Sequence, residues 1–280
     1  MRQINVDEVS KAVATAVIEA NPMLPPDVQG ALQAALDRES QAGAAGFLNI
    51  IIENAQIAAR DKMALCQDTG MVVAHIELGQ EVHLVGGLLE DAIDQGIRDG
   101  YLRGYLRKSV VKDPFERVNT GDNTPAIIHI HLVAGEGLRI TLLPKGAGSE
   151  NMGQLAMLKP SAGIEGVKEF ILQVVREAGG NPCPPIIVGV GVGGNMEKAA
   201  QLAKQALLRE VGQPNPRPDL ADLEAEMLGR INSLGIGVMG IGGDTTALAV
   251  NIETYPTHIA CLPVAVNLGC HSTRRITLEL

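Results

Sequence analysis

Tryptophan is absent from this 280-residue chain, and three tyrosines and three phenylalanines are all the large aromatics it has. Proteins that grip single-stranded nucleic acid stack bases on aromatic faces, so this composition excludes that class. Lysine and arginine are outnumbered 23 to 32 by aspartate and glutamate, giving a net charge of −9. Phosphate-backbone binding, which works by counterion release from cationic side chains, is excluded with it. No apolar run reaches the roughly 18 residues needed to span a bilayer. The longest candidates, 186–194 and 235–242, are short and broken by glycine. The N-terminus is polar from its second residue and lacks a secretory apolar core, which predicts a cytoplasmic chain. Thiols rarely pair in such a compartment. Cys66, Cys183, Cys261 and Cys270 are therefore core residues, reactive thiols or metal ligands.

What is present is ordinary globular material: 46% hydrophobic and 20% charged residues, with 32 glycines and 15 prolines concentrating interest in loops. Helical spacing predicts helices over 6–20, 26–38, 46–65, 88–107, 164–178, 196–211 and 220–234. Alternation predicts strands over 71–78, 126–134 and 138–143, and an apolar run predicts a buried strand over 186–192. The segments 126–134 and 138–143 flank Gly135-Glu136-Gly137 and read as an antiparallel hairpin. Short strands fill the last sixty residues. The class is mixed α/β (α+β), a helical N-terminal segment followed by interspersed helices and mixed sheets. With no fixed repeat and no low-complexity linker, a single domain over 1–280 is expected.

The cysteines lie 117, 78 and 9 residues apart with no C-x-x-C, so a local zinc or ferredoxin motif is not encoded. Dispersed ligands remain open, as does a plain role in the core. Cys66 in LCQDTG, Cys183 in NPCPP and Cys270 in LGCHSTRR stand beside turn-forming or polar residues, whereas Cys261 in HIACLPVAV reads as core. Gly189, Gly191 and Gly194 satisfy G-x-G-x-x-G, which raises a dinucleotide-binding oxidoreductase as one reading. The acidic residue expected about 20 positions on falls instead in a helix end running into a proline loop, 210–214. Close helix–strand packing or an anion nest are the other uses of those glycines. The stretch 145–151 serves equally as an anion-approaching loop or a tight turn, and 242–246 reads as a turn and cap. Arg103, Arg107, Lys108, Arg274 and Arg275 form basic groups in an acidic chain. His75, His83, His129 and His131 fall in strand patterns, while His258 and His271 flank the last two cysteines.

Taken together, CQDTG at 66–70, KGAGSEN at 145–151, GNPCPP at 180–185 and GCHSTRR at 269–275 resemble class I fumarase. More broadly they are similar to the alpha-subunit family of iron–sulfur hydro-lyases, which includes tartrate dehydratase. The resemblance covers nearly the whole chain in motif order. It implies a 4Fe–4S cluster held by three cysteines, here Cys66, Cys183 and Cys270, with an open iron serving as Lewis acid. The reaction implied is reversible hydration of fumarate to (S)-malate, with L-tartrate dehydration as the alternative. It also implies that Gln67 and Asp68 face the substrate, with Asp68 as general acid, and that Arg107 binds a carboxylate. Gly146, Ser149 and Asn151 would donate to the other end of the substrate, and His258, twelve residues before Cys270, would touch it. Fused family members carry a second domain with further arginines, a lysine and a threonine, and nothing corresponding follows Leu280. The implied protein is an alpha subunit completed by a separate beta subunit, in pairs that dimerise. A non-catalytic scaffold subunit is the reading from another class.

Overall fold

The chain, described over residues 2–280 in a computed structural model, opens with β1 (Arg2–Asn5), α1 (Val6–Ala20), α2 (Pro26–Arg38) and α3 (Ala42–Asp61). There follow β2 (Met71–Gly79), β3 (Val82–Val85), α4 (Leu89–Arg103), β4 (Ile127–Val133) and β5 (Leu138–Lys145). The middle holds α5 (Ala147–Glu150), β6 (Gln154–Leu158), α6 (Gly163–Ala178), β7 (Ile186–Gly193) and α7 (Met196–Ala206). The last elements are α8 (Pro218–Asn232), β8 (Ala247–Tyr255), β9 (Leu262–Gly269) and β10 (Ile276–Glu279). The mixed α/β class is what these elements make. They cluster into two compact units, one of residues 2–25, 55–147 and 274–280, the other of 26–54 and 148–273.

In the first unit a four-stranded sheet runs in the order β10-β5-β2-β4, beside a small parallel pair of β1 with β3. The Asn5 side chain starts α1 by accepting the Asp7 N–H at 2.9 Å. Val9, Val13 and Val17 then repeat at helical spacing and bury against Ile93, Ile97 and Tyr101 of α4 and against Val72, Ala74, Ile76, Ile140 and Leu142 of the sheet. The predicted hairpin is not formed. β2 lies between its two arms, parallel to β4 (Val73 opposite Ile127) and antiparallel to β5 (Met71 opposite Lys145). The reason is burial: Val72, Val73, Ala74, His75 and Ile76 are all buried, so β2 is apolar enough on both faces to be central. β4, with Ile127, Ile130 and Leu132 exposed, takes an edge. α4 also ends earlier than its pattern suggests, because the chain turns at Gly104 and Tyr105 has φ +52°. Arg107 therefore lies in a loop and not in the helix.

The second unit has a four-stranded sheet in the order β6-β9-β7-β8, with β7 parallel to β8 and antiparallel to β9. Ile186, Val188 and Val190 point to one face and join Val167, Ile171, Val174 and Val175 of α6 and Leu223, Met227 and Ile231 of α8. Gly189 and Gly191 point to the other. A Cβ on Gly191 would lie 2.1 Å from the Ala199 carbonyl oxygen, and one on Gly189 would lie 2.3 Å from that of Ala203. The glycines of the G-x-G-x-x-G stretch thus let α7 lie flat on β7, the packing use among those considered.

Candidate functional site

Residues 66–70 form a loop between α3 and β2, partly exposed at Cys66 and Asp68 and buried at Thr69 and Gly70. Its curvature depends on Gly70, which has φ +76°; a Cβ there would stand 2.6 Å from the Lys145 nitrogen. Asp68 is the most tightly held side chain of the loop. Its Oδ1 accepts the Gly70 N–H at 3.0 Å and its Oδ2 accepts the Ala147 N–H at 2.7 Å. Gly146 makes room for that approach, since a Cβ on it would meet Asp68 Oδ2 at 3.0 Å. The Asp68 N–H in turn donates to Cys66 Sγ at 3.4 Å, and that thiol donates to Gln67 Oε1 at 3.4 Å.

The loop's carbonyls are tied by three side chains, of which only Arg274, within GCHSTRR, stands in one of the motifs. Arg274 Nη2 donates to the Asp68 carbonyl (2.8 Å), Tyr101 to that of Thr69 (2.7 Å) and Asn123 Nδ2 to that of Gly70 (3.1 Å). Thr69 Oγ1 donates to the Arg107 carbonyl at 2.7 Å, which fixes the backbone beneath the exposed Arg107 side chain. Burial pushes the Tyr101 hydroxyl well above its ordinary range, so it stays a neutral donor. Tyr101 continues the Ile93–Ile97 stripe of α4 and Asn123 stands in a polar turn, so neither announces a partner, and the carbonyl that Arg274 holds cannot be read from its motif. Of the expected site residues, this unit gathers Cys66, Gln67, Asp68, the Arg107 backbone and Gly146.

The second unit carries Ser149, Asn151, Cys183, His258 and Cys270. Antiparallel pairing sets Ile187 opposite Gly269, so Cys183 before β7 and Cys270 after β9 arrive at the same strand end. They are sewn there: the Cys183 carbonyl receives the His271 N–H at 3.3 Å and stands 2.9 Å from His271 Nδ1. The Cys270 carbonyl accepts from Thr273 Oγ1 at 2.8 Å. Cys183 has φ +56°, a left-handed conformation that costs a side-chain-bearing residue roughly 1 kcal/mol and glycine nothing. His258 lies elsewhere, in the turn between β8 and β9. All of β9, about 23 Å at the usual rise, separates that turn from Cys270. The structure does not bring these two together within the unit.

Ser149 is buried within α5 and Asn151 is exposed just after it. Between them Glu150 turns to α7 and β9, where it pairs with Lys204 and accepts from Asn267 Nδ2 at 3.2 Å. Burial lowers the Lys204 pKa, and its pairing with Glu150 acts in the opposite direction. Cys261, expected in the core, is only half-buried. It precedes β9 on an apolar cleft lined by Pro160, Ile164, Val167, Leu220 and Leu223, because the apolar run of its sequence begins in the turn and not in the strand. None of the four thiols is in a disulfide. Among the described residues, no group of three His, Cys, Asp or Glu side chains could hold a single metal ion, and no helix is long and apolar enough to cross a membrane.

Comparison with known proteins agrees with the order of the motifs. Residues 10–279 match the family model for fumarate hydratase (Fumerase). The putative L(+)-tartrate dehydratase subunit alpha of Methanocaldococcus jannaschii is 43% identical over 275 residues, covering 96% of either chain. The L(+)-tartrate dehydratase subunit alpha of Escherichia coli K12 is 31% identical over 281 residues, covering 99% of this chain and 92% of that one.

Proposed function

The chain belongs to the fumarate hydratase (Fumerase) family and is a hydro-lyase, and from that premise we propose that it is the alpha subunit of an iron–sulfur enzyme interconverting fumarate and (S)-malate. The observation that carries the reading is Asp68, a carboxylate beside Cys66 with both oxygens held by backbone N–H groups and its own carbonyl anchored. As an acceptor so placed, Asp68 takes the proton of the attacking water in the hydration direction. It returns that proton to the departing hydroxyl in the other, while the proton added to or taken from the neighbouring carbon passes through a group of the proposed beta subunit. Arg107 binds one substrate carboxylate through its guanidinium, and Gln67, Gly146, Ser149 and Asn151 supply donors around the rest of the molecule. His258, in the turn between β8 and β9, is proposed as a further substrate contact on the strength of the motif resemblance alone.

The donor set fits a 4Fe–4S cluster. Cys66, Cys183 and Cys270 are partly exposed thiols on turns, and two of them are sewn to one strand end. Soft thiolates in that number suit iron–sulfur ligation. When bound, the cluster supplies a Lewis acid for the hydroxyl oxygen. The name "subunit alpha" carried by the relatives supports a beta subunit as partner. Those same names favour a second reading, dehydration of L(+)-tartrate, a substrate that differs from malate by one hydroxyl.

The test is kinetic and spectroscopic. The complex, reconstituted anaerobically with iron and sulfide, is assayed for fumarate hydration and for tartrate dehydration, and the faster reaction decides between the two readings. Asp68→Asn is expected to lower the rate by about 10²–10⁴. Cys66→Ser, Cys183→Ser and Cys270→Ser should each abolish the brown chromophore, whereas Cys261→Ser should keep it. Full activity in Asp68→Asn, or an unchanged spectrum in any of the first three cysteine variants, refutes the role given to that residue.

A further inference from the structure

Among the described residues Arg274 is the largest fully buried side chain, at 2% exposure. Its Nη1 donates to Asn21 Oδ1 at 3.2 Å and its Nη2 to the Asp68 carbonyl at 2.8 Å, while Nε has no hydrogen-bond partner. Among the described residues no carboxylate pairs with it. A buried cation without a counter-ion is costly. Neutral side chains, Tyr101 and Asn123, suffice for the next two carbonyls of the same loop. A charge is therefore spent where a neutral donor would serve. The negative group it can answer is that of the residue whose carbonyl it holds, the Asp68 carboxylate.

We propose that Arg274 is the positioning residue of Asp68. It clamps the Asp68 backbone to Asn21 at the end of α1, so the carboxylate stays aimed at the Gly70 and Ala147 N–H groups. Its fixed charge offsets that of the carboxylate it positions. The catalytic half of this inference rests on the role given to Asp68; the clamp itself does not.

Amide exchange of the full-length chain, read on peptides covering 68–72 and 145–149, reports directly on the two hydrogen bonds made by the Asp68 carboxylate. Arg274→Met should speed exchange at Gly70 and Ala147 about tenfold or more. Arg274→Lys, which keeps the charge and is the safer variant for folding, should speed it by about threefold. In both, β2 peptides over 73–78 should stay as protected as in the parent. In the reconstituted alpha–beta complex, kcat should fall in the order parent, Lys, Met, with KM for the dicarboxylate changed less than about twofold. If Arg274→Met unfolds, Arg274→Lys decides alone. Unchanged exchange at both amides in the Lys variant, or protection lost evenly across β2 and α1, overturns the clamp. Selective loosening together with full activity in Asp68→Asn would leave the clamp standing and sink the catalytic reading instead.

Discussion

Asp122 shows how single side chains hold the site without entering it. Burial pushes its pKa up, but hydrogen bonds outweigh this, from the Thr124 N–H at 3.1 Å, Arg98 Nε at 3.0 Å and Thr124 Oγ1 at 2.9 Å. The net result is a carboxyl drawn down to about 2. The turn it stabilises presents Asn123, at φ +65°, whose side chain donates to the Gly70 carbonyl and accepts from the Ser109 N–H. Because the folded pKa lies below the ordinary carboxylate value, this contribution to stability is present above that value. It is lost as pH falls through the ordinary range toward 2. Thermal melts between pH 5 and 2.5 should show a shallower fall for Asp122→Asn than for the parent chain. Parallel curves would remove Asp122 from the account. Tyr101→Phe makes a sharper cut: the buried Thr69 carbonyl loses its short hydroxyl partner, at a cost of about 1–3 kcal/mol in denaturant unfolding. The aspartate, the thiols and the glycines of this site were legible in the motifs. Their supports were not: Arg274 stands in a motif, but it and Asp68 are 206 positions apart and only the fold makes them neighbours.

At the scale of elements, α1, α2 and α6 have the bounds their periodicity gives, to within a residue, because each buries a stripe of one helix face. Strand partners were less legible. Two alternating segments joined by a short glycine turn look like a hairpin by local rules, yet a third strand from earlier in the chain takes the place between them. Local signals encode strand existence and not which strand is apolar on both faces. The glycines of β7 are the converse case, where the motif was visible and its use depended on what lies above it. Gly191→Ala would drive a methyl into the Ala199 carbonyl, 2.1 Å from the ideal Cβ. Overpacking of this kind costs about 1–3 kcal/mol or more, and a lowered melting temperature should follow; an unchanged one would show that α7 yields freely. Glu224 ties α8 to β8 in a second way. It pairs with Arg209, whose side chain is largely covered, and accepts from the Asn215 side chain at 3.2 Å and the Ile252 N–H at 2.7 Å. Glu224→Leu leaves that guanidinium only Glu253, at 3.4 Å, and leaves the Ile252 N–H without its acceptor, which should cost about 1–3 kcal/mol in denaturant unfolding.

For the whole molecule the decisive quantity is charge. The chain carries a net −9, and the proposed substrate is a dianion. Each substrate carboxylate wants a fixed cation at close range. Arg107, on an exposed loop, is the cation proposed for one of them, whereas Arg274 is buried and bonded to the Asp68 carbonyl. Lys204 is likewise committed to Glu150, so it balances the acid of the 145–151 stretch and does not add to its pull on an anion. We propose that the second cation comes from a beta subunit, a partner that the relatives' names support. The isolated chain, loaded with iron and sulfide, should show the brown chromophore but hydrate fumarate at no more than a small fraction of the rate of the complex. Titrating in the beta subunit should raise kcat until the two are equimolar. Arg107→Met in the complex should raise KM for the dicarboxylate by about tenfold or more, since a charge-assisted bidentate contact is lost. Full turnover by the isolated chain would show that it holds both cations itself, and the split site would have to be abandoned.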